Sequence, residues 1–243
     1  MIETYYVGAY WGARRESAEA CAQRALVFFQ AMAGCDDSFG RWFGPPRSRK
    51  QAPPAISWDI PTLREMFTQG STRNDAGNVI EDLGFHVSLD NGMWPGTRQR
   101  EFAALRMICG GWAEHVPNSC VLNLPSAGAS MERIVQGPML EKIMRAMILA
   151  WEPAWGVVNS SSHLLLDNSP SPGPDAGWMM YLSHQWGALP ALPAPGRVDR
   201  VEDKGTLLVL TEDRFTASNP EHVTLAGRVR ETLSQAGLLK PLS

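Results

Sequence analysis

The chain has 243 residues, 44% of them hydrophobic and 19% charged. That apolar content excludes a chain disordered by composition, and the length is enough for one sizeable core. A net charge of −3, from 22 Lys+Arg against 25 Asp+Glu, excludes the basic balance of a typical nucleic-acid binder.

Glu3 to Trp11 reads as an aromatic, β-branched strand broken by Gly12. No basic stretch, apolar run and small-residue cleavage site precedes it, so the folded domain is expected to begin at residue 2. Tyr5 points to one side of this strand and Tyr6 and Tyr10 to the other, so one set faces away from any helix layer. Ser17 caps a helix reaching about Ala33, with Gly34 as its left-handed stop. Cys21, Ala25, Phe28, Phe29 and Met32 recur at helical spacing and make its buried face. A loop-rich stretch from Cys35 to Trp58 follows, with a basic cluster at Arg47 to Lys50. Pro61, at a first-turn position, opens a short helix that ends before Gly70.

Phe85, Val87 and Leu89 alternate with His86, Ser88 and Asp90 in a half-buried strand that ends at the turn signal Asn91-Gly92. Phe102 to Cys109 and Cys120 to Leu124 read as partner strands across the Gly110-Gly111 loop. Pro138 to Trp151 reads as a helix, apolar over much of its circumference, that packs across the sheet. Further strands are expected at Trp155 to Val158, Trp178 to Leu182, Val198 to Glu202 and Thr206 to Thr211. Asp203-Lys-Gly205 turns between the last two. Asn219 caps a final helix, Pro220 opens it and Gly237 stops it. The Pro-rich stretches at Ser169 to Pro174 and Pro190 to Pro195 read as loops. The 65 or so residues beyond the first are too few for a comfortable separate domain. The expectation is one α+β domain over residues 1–243, a mostly antiparallel sheet with helices packed on it.

Cys21, Cys35, Cys109 and Cys120 form no C-x-x-C pair, which favours free thiols in a reducing compartment. The most apolar helix is interrupted by Glu141, Lys142 and Arg145, so no membrane span is expected. These features place the protein in the cytoplasm.

The sharpest enzyme-like pattern is Pro174-Asp175 followed by Glu202-Asp203-Lys204. It matches the arrangement in which two carboxylates hold Mg²⁺ and a lysine assists the attacking water of a nuclease. Its lysine falls at a hairpin tip, where that chemistry wants a strand, so a solvated turn is the preferred reading and a hydrolase using Asp175, Glu202 and Lys204 the alternative. Gly128-Ala-Ser-Met-Glu132 lacks the second glycine of a nucleophile elbow. Ser160-Ser-Ser-His163 is explained equally by serines capping local backbone. His86, His115, His163, His184 and His222 stand singly, with no metal-ligand spacing. No catalytic, cofactor or metal residue is therefore assigned, and the chain reads as a non-enzyme that binds another protein. Trp178 and Tyr181 look like core. Trp94 and Trp186, in or beside loops, are candidates for a contact surface. Asp175, Glu202, Asp203, Glu212 and Asp213, in expected loops of the second half, are its candidate acidic residues.

Three stretches carry a family likeness: Glu3 to Ser17, Gly177 to Ser183, and Gly205 to Leu239 with its Asn219-Pro-Glu-His222. In them the chain resembles the immunity protein 52 family. The resemblance implies a cytoplasmic antitoxin of interbacterial competition that binds a cognate nuclease toxin of the restriction-endonuclease fold. It implies that the toxin is delivered by a contact-dependent, type VI-like secretion system. It carries no catalytic residues across. Inhibition by occlusion implies an acidic, aromatic surface that covers the basic cleft of the toxin.

Overall fold

The computed structural model describes residues 3–45, 53–92, 100–166, 173–193 and 196–241. Eight strands form one antiparallel sheet: β1 (Tyr5–Trp11), β2 (Phe85–Asp90), β3 (Ala104–Cys109), β4 (Asn118–Asn123), β5 (Trp155–Ser160), β6 (Met179–Ser183), β7 (Arg197–Val201) and β8 (Gly205–Val209). Their order across the sheet is β2-β3-β4-β1-β5-β6-β8-β7. The N-terminal strand therefore lies in the middle, antiparallel to β4 and to β5. Six helices complete the described residues: α1 (Ala18–Ala33), α2 (Ile60–Gln69), α3 (Gly128–Ile134), α4 (Gly137–Trp151), α5 (Ser161–Leu164) and α6 (Pro220–Gln235). The result is a single α+β domain.

Pleat alternation decides what β1 buries. Tyr5, Val7, Ala9 and Trp11 share the face on which α4 packs, and all four are buried. Trp11 stacks on Trp151 of α4 with ring centroids 5.4 Å apart, and Phe28 of α1 meets the same Trp151 at 6.4 Å. α1 in turn packs between α2 and α4, and α2 closes on β2. Burying an aromatic or aliphatic side chain of this size contributes about 1.5–3 kcal/mol. The fully buried face of α1, with Cys21, Ala25, Phe28, Phe29 and Met32, is thus a main stabilising seam.

On the opposite face Tyr10 stacks on its cross-strand partner Trp155 at 4.2 Å. Gly8 makes room for that ring: a Cβ there would lie 2.6 Å from the Tyr10 hydroxyl. This face is buried over β5, β6 and β8, at Val157, Met180, Leu182 and Leu208. It is open over β2 to β4, where His86, Ser88, Arg106 and Asn123 are exposed.

One local expectation needs correction. Gly34 ends α1 in the right-handed region (φ −73°), its N–H donating to Gln30 and Met32 carbonyls, so no left-handed stop is used there. β2 ends at Asp90, at the expected Asn91-Gly92 signal, and β3 begins at Ala104. Asn91 ties the ends of that connection: its Nδ2 donates to the Ser38 carbonyl (3.0 Å) and its Oδ1 accepts from Ala103 N–H (2.6 Å). α3 had no sequence expectation, being a seven-residue helix without a side-chain cap. Gly237, by contrast, does stop α6 with φ +74°.

Candidate functional site

The end of the sheet where β6 stops and β7 turns into β8 gathers an aromatic ring and two carboxylates. Ser183, the last residue of β6, registers with Gly205, the first of β8. The chain leaves β6 through a 3-10 turn, His184–Trp186, and His184 N–H donates to the Lys204 carbonyl (3.1 Å). That bond brings Trp186 and the hairpin turn 202–204 to one edge of the molecule. Glu202 takes the left-handed conformation (φ 47°), and the turn closes with Lys204 N–H donating to the Val201 carbonyl at 2.9 Å. Tyr181 fixes it from beneath, its hydroxyl donating to the same Lys204 carbonyl (2.9 Å). Burial, and then the nearby Glu152 carboxylate, push that phenol up to about 12, so it remains a donor.

Trp186 is half-buried, with its indole N–H donating to the Ala154 carbonyl at 2.8 Å. Its ring is therefore positioned by the loop after α4 and does not hang free. The same loop holds an ion network. Glu152, left-handed at φ 46°, receives Lys204 Nζ (3.2 Å) and Arg24 (3.1 Å). Hydrogen bonds from Lys204 and Arg24 lower its pKa below the usual carboxylate value. Arg24 also pairs with Glu16 at 2.6 Å, and Arg24 and Arg14 donate to the Ala150 and Trp151 carbonyls. Those two arginines satisfy the last carbonyls of α4, where positive charge is favoured. Lys204 and Arg24 are thus neutralised locally. Glu202 and Asp203 are exposed and form no ion pair among the described residues. The edge displays uncompensated negative charge beside a held indole.

The other candidate acidic residues lie elsewhere. Glu212 and Asp213 follow β8, whereas Glu202 and Asp203 precede it, so five strand residues, about 17 Å, separate the pairs. Glu212 is engaged by Arg197 at 2.9 Å; Asp213 is exposed. Asp175 is half-buried before β6, at the Val209 end of β8, and accepts from Asn159 Nδ2 at 3.1 Å. Trp94 lies outside the described residues, as do Arg47 to Lys50. The nuclease-like pattern has no common site: Asp175 sits at one end of β6, Glu202 and Lys204 at the other, with Lys204 turned onto Glu152. Among the described residues no group of three His, Cys, Asp or Glu could hold a metal ion.

One polar centre was not expected from sequence. The Glu3 carboxylate receives Ser160 Oγ (2.7 Å), Ala217 N–H (2.9 Å) and the Thr216 hydroxyl. Burial raises its pKa, and these hydrogen bonds outweigh that and leave it lowered. Ser160 Oγ accepts the His163 backbone N–H at 3.1 Å, so the Ser160 to His163 run is a helix cap. The cluster ties the first strand to the segment after β8. Its only signal in the chain was the serine three residues ahead of His163.

A family model described as immunity protein 52 matches residues 3–242. No curated protein sequence matches the chain. Among solved structures, the Pseudomonas aeruginosa T6SS protein PA0821 is similar, with a TM-score of 0.49 and 14% identity over 95% of this chain and 73% of that one.

Proposed function

The chain belongs to the immunity protein 52 family, and we propose that it protects a bacterium by binding and blocking one cognate toxin in the cytoplasm. On this reading the toxin is a nuclease of the restriction-endonuclease fold, delivered by a contact-dependent secretion system. The observation that supports a binding surface is the meeting of Trp186, Glu202 and Asp203 at one edge of the sheet. A nuclease cleft is basic in order to hold phosphates, so uncompensated carboxylates complement it, and an indole with its N–H already bonded offers a rigid anchor. No helix among the described residues is long and apolar enough to cross a membrane.

The test is co-expression with candidate nuclease toxin domains of the restriction-endonuclease fold, followed by purification and binding kinetics. A one-to-one complex of nanomolar affinity, burying about 1,600 Å², is expected. Reversing Glu202 and Asp203 to lysine together slows association and reduces its salt dependence, because rim charges act on the encounter rate. Trp186→Ala accelerates dissociation. A complex whose kinetics neither variant changes moves the interface elsewhere; the absence of any complex or protection ends the antitoxin reading.

A further inference from the structure

The two edges of the sheet are guarded differently. β7 sets Arg197, Asp199 and Arg200 along its five residues, and Arg197 is tied to Glu141 and Glu212. Charge along a short edge strand discourages further pairing. β2, at the other edge, has the sequence Phe-His-Val-Ser-Leu-Asp, with a charge only at Asp90. Its even-numbered backbone groups point away from β3. His86 N–H donates to the Gly70 carbonyl (2.8 Å), and Asp90 exchanges two bonds with Phe43 (3.0 and 2.8 Å). In an antiparallel strand the N–H and C=O of alternate residues point the same way, so those of Ser88 point outward too. Among the described residues nothing bonds to them.

Ser88 opens onto a groove of about 1100 Å³ between α2 and the segments of chain at 44–45 and 53–56. Pro45, Pro54, Pro61 and Met66 give it apolar walls, and Glu65 stands in the α2 wall, receiving Gln69 Nε2 at 2.9 Å. Among the described residues no lysine or arginine lines it. We propose that this groove docks a short extended peptide segment of a partner protein, which pairs with the Ser88 backbone and sets a basic side chain beside Glu65.

The outward N–H and C=O of one strand residue match the acceptor and donor of an extended peptide, which is how chains add to a sheet edge. The bonds at His86 and Asp90 bound the open stretch to four residue steps, about 13 Å, so the occupant pairs through one residue and lays its apolar neighbours on the prolines and Met66. Glu65 is the only acidic residue among the described residues of the lining, and charge complementarity sets the sign of the peptide. This surface lies on the sheet edge opposite β7, and the inference stands independently of the toxin reading.

The test pans random nine-residue peptides, displayed on phage, against the wild-type protein. Enriched peptides are then measured on Ser88→Pro, which removes an outward N–H and leaves the bonds to β3 in place, and on Glu65→Lys, at an exposed position of α2. Peptides carrying Lys or Arg are expected. They protect the Ser88 amide from hydrogen exchange and lose about tenfold or more in affinity on Ser88→Pro, the worth of a hydrogen bond plus the clash of the ring. Panning on Glu65→Lys enriches acidic peptides instead, and that exchange of preference decides the matter if Ser88→Pro folds poorly. Failure to enrich any peptide, or peptides that bind both variants as they bind the wild type, overturns the proposal. A wild-type dimer dissolved by Ser88→Pro would give the edge to a second copy of the chain and overturn it as well.

Discussion

Asp36 has two partners. Its Oδ1 accepts the Ser38 N–H of a 3-10 turn, and its carboxylate takes a two-bonded pair from Arg133 of α3 at 2.6 and 3.1 Å. The Arg133 hydrogen bonds hold its pKa down to about 2 from 3.8. A depressed carboxylate contributes stability that is complete above the unfolded pKa and is lost as pH falls through the folded one. Asp36→Asn, which keeps the cap acceptor, should therefore cost about 1 kcal/mol at pH 7, a modest figure because Arg133 is half exposed and screened. Urea titrations should show that difference shrinking below pH 4 and being lost as the pH falls through about 2. At this scale the caps at Ser17, Asn219 and Gly237 were readable, since each is a rule about one residue and its neighbours. The left-handed Glu202 was not. Positive φ falls on a glutamate, a residue type that gives no sign of it in sequence, while Gly205, where a Cβ would meet the Leu182 carbonyl at 2.3 Å, serves close strand approach.

Elements were legible wherever a period could be counted. α1 buries the face its spacing indicated, with Phe28 tilted on Phe29 at 5.7 Å and against Trp151. Phe28→Ala should cost about 3–5 kcal/mol, since the cavity it leaves lies between two helices and cannot collapse freely. A denaturant midpoint moving by less than the equivalent of about 1 kcal/mol would mean the α1–α4 seam contributes little. β2 follows its alternation, with Val87 and Leu89 buried and His86 and Ser88 exposed. α3 escaped notice because Gly128 to Ile134 is too short to show a helical period and has no polar cap. β2 ends at the Asn91-Gly92 signal as expected, but the side-chain bonds of Asn91 to Ser38 and Ala103 were not legible, because they join residues distant in sequence.

The whole molecule decides which chemistry is available. In sequence, Asp175, Glu202 and Lys204 resemble a metal-nuclease constellation; in the fold β6 and β8 stand between Asp175 and the other two. Lys204→Ala should accordingly leave toxin binding and protection of cells unchanged, and cost no more than about 1 kcal/mol through the partly exposed pair with Glu152. Loss of protection, with unaltered circular dichroism, would make the hairpin ammonium part of the function. By itself the sequence determined the α+β class, the antiparallel strands, the buried face of α1, the core positions of Trp178 and Tyr181, and the family likeness. All of these follow from local periodicity, capping chemistry and side-chain identity. Only the tertiary structure placed β1 at the centre of the sheet, parted Glu202 and Asp203 from Glu212 and Asp213, and seated Trp186 on Ala154. It alone left Ser88 on an open edge. These outcomes depend on strand order and on contacts between residues more than thirty positions apart, where the physical driving force is burial shared among distant segments, and no local pattern encodes which segments share it.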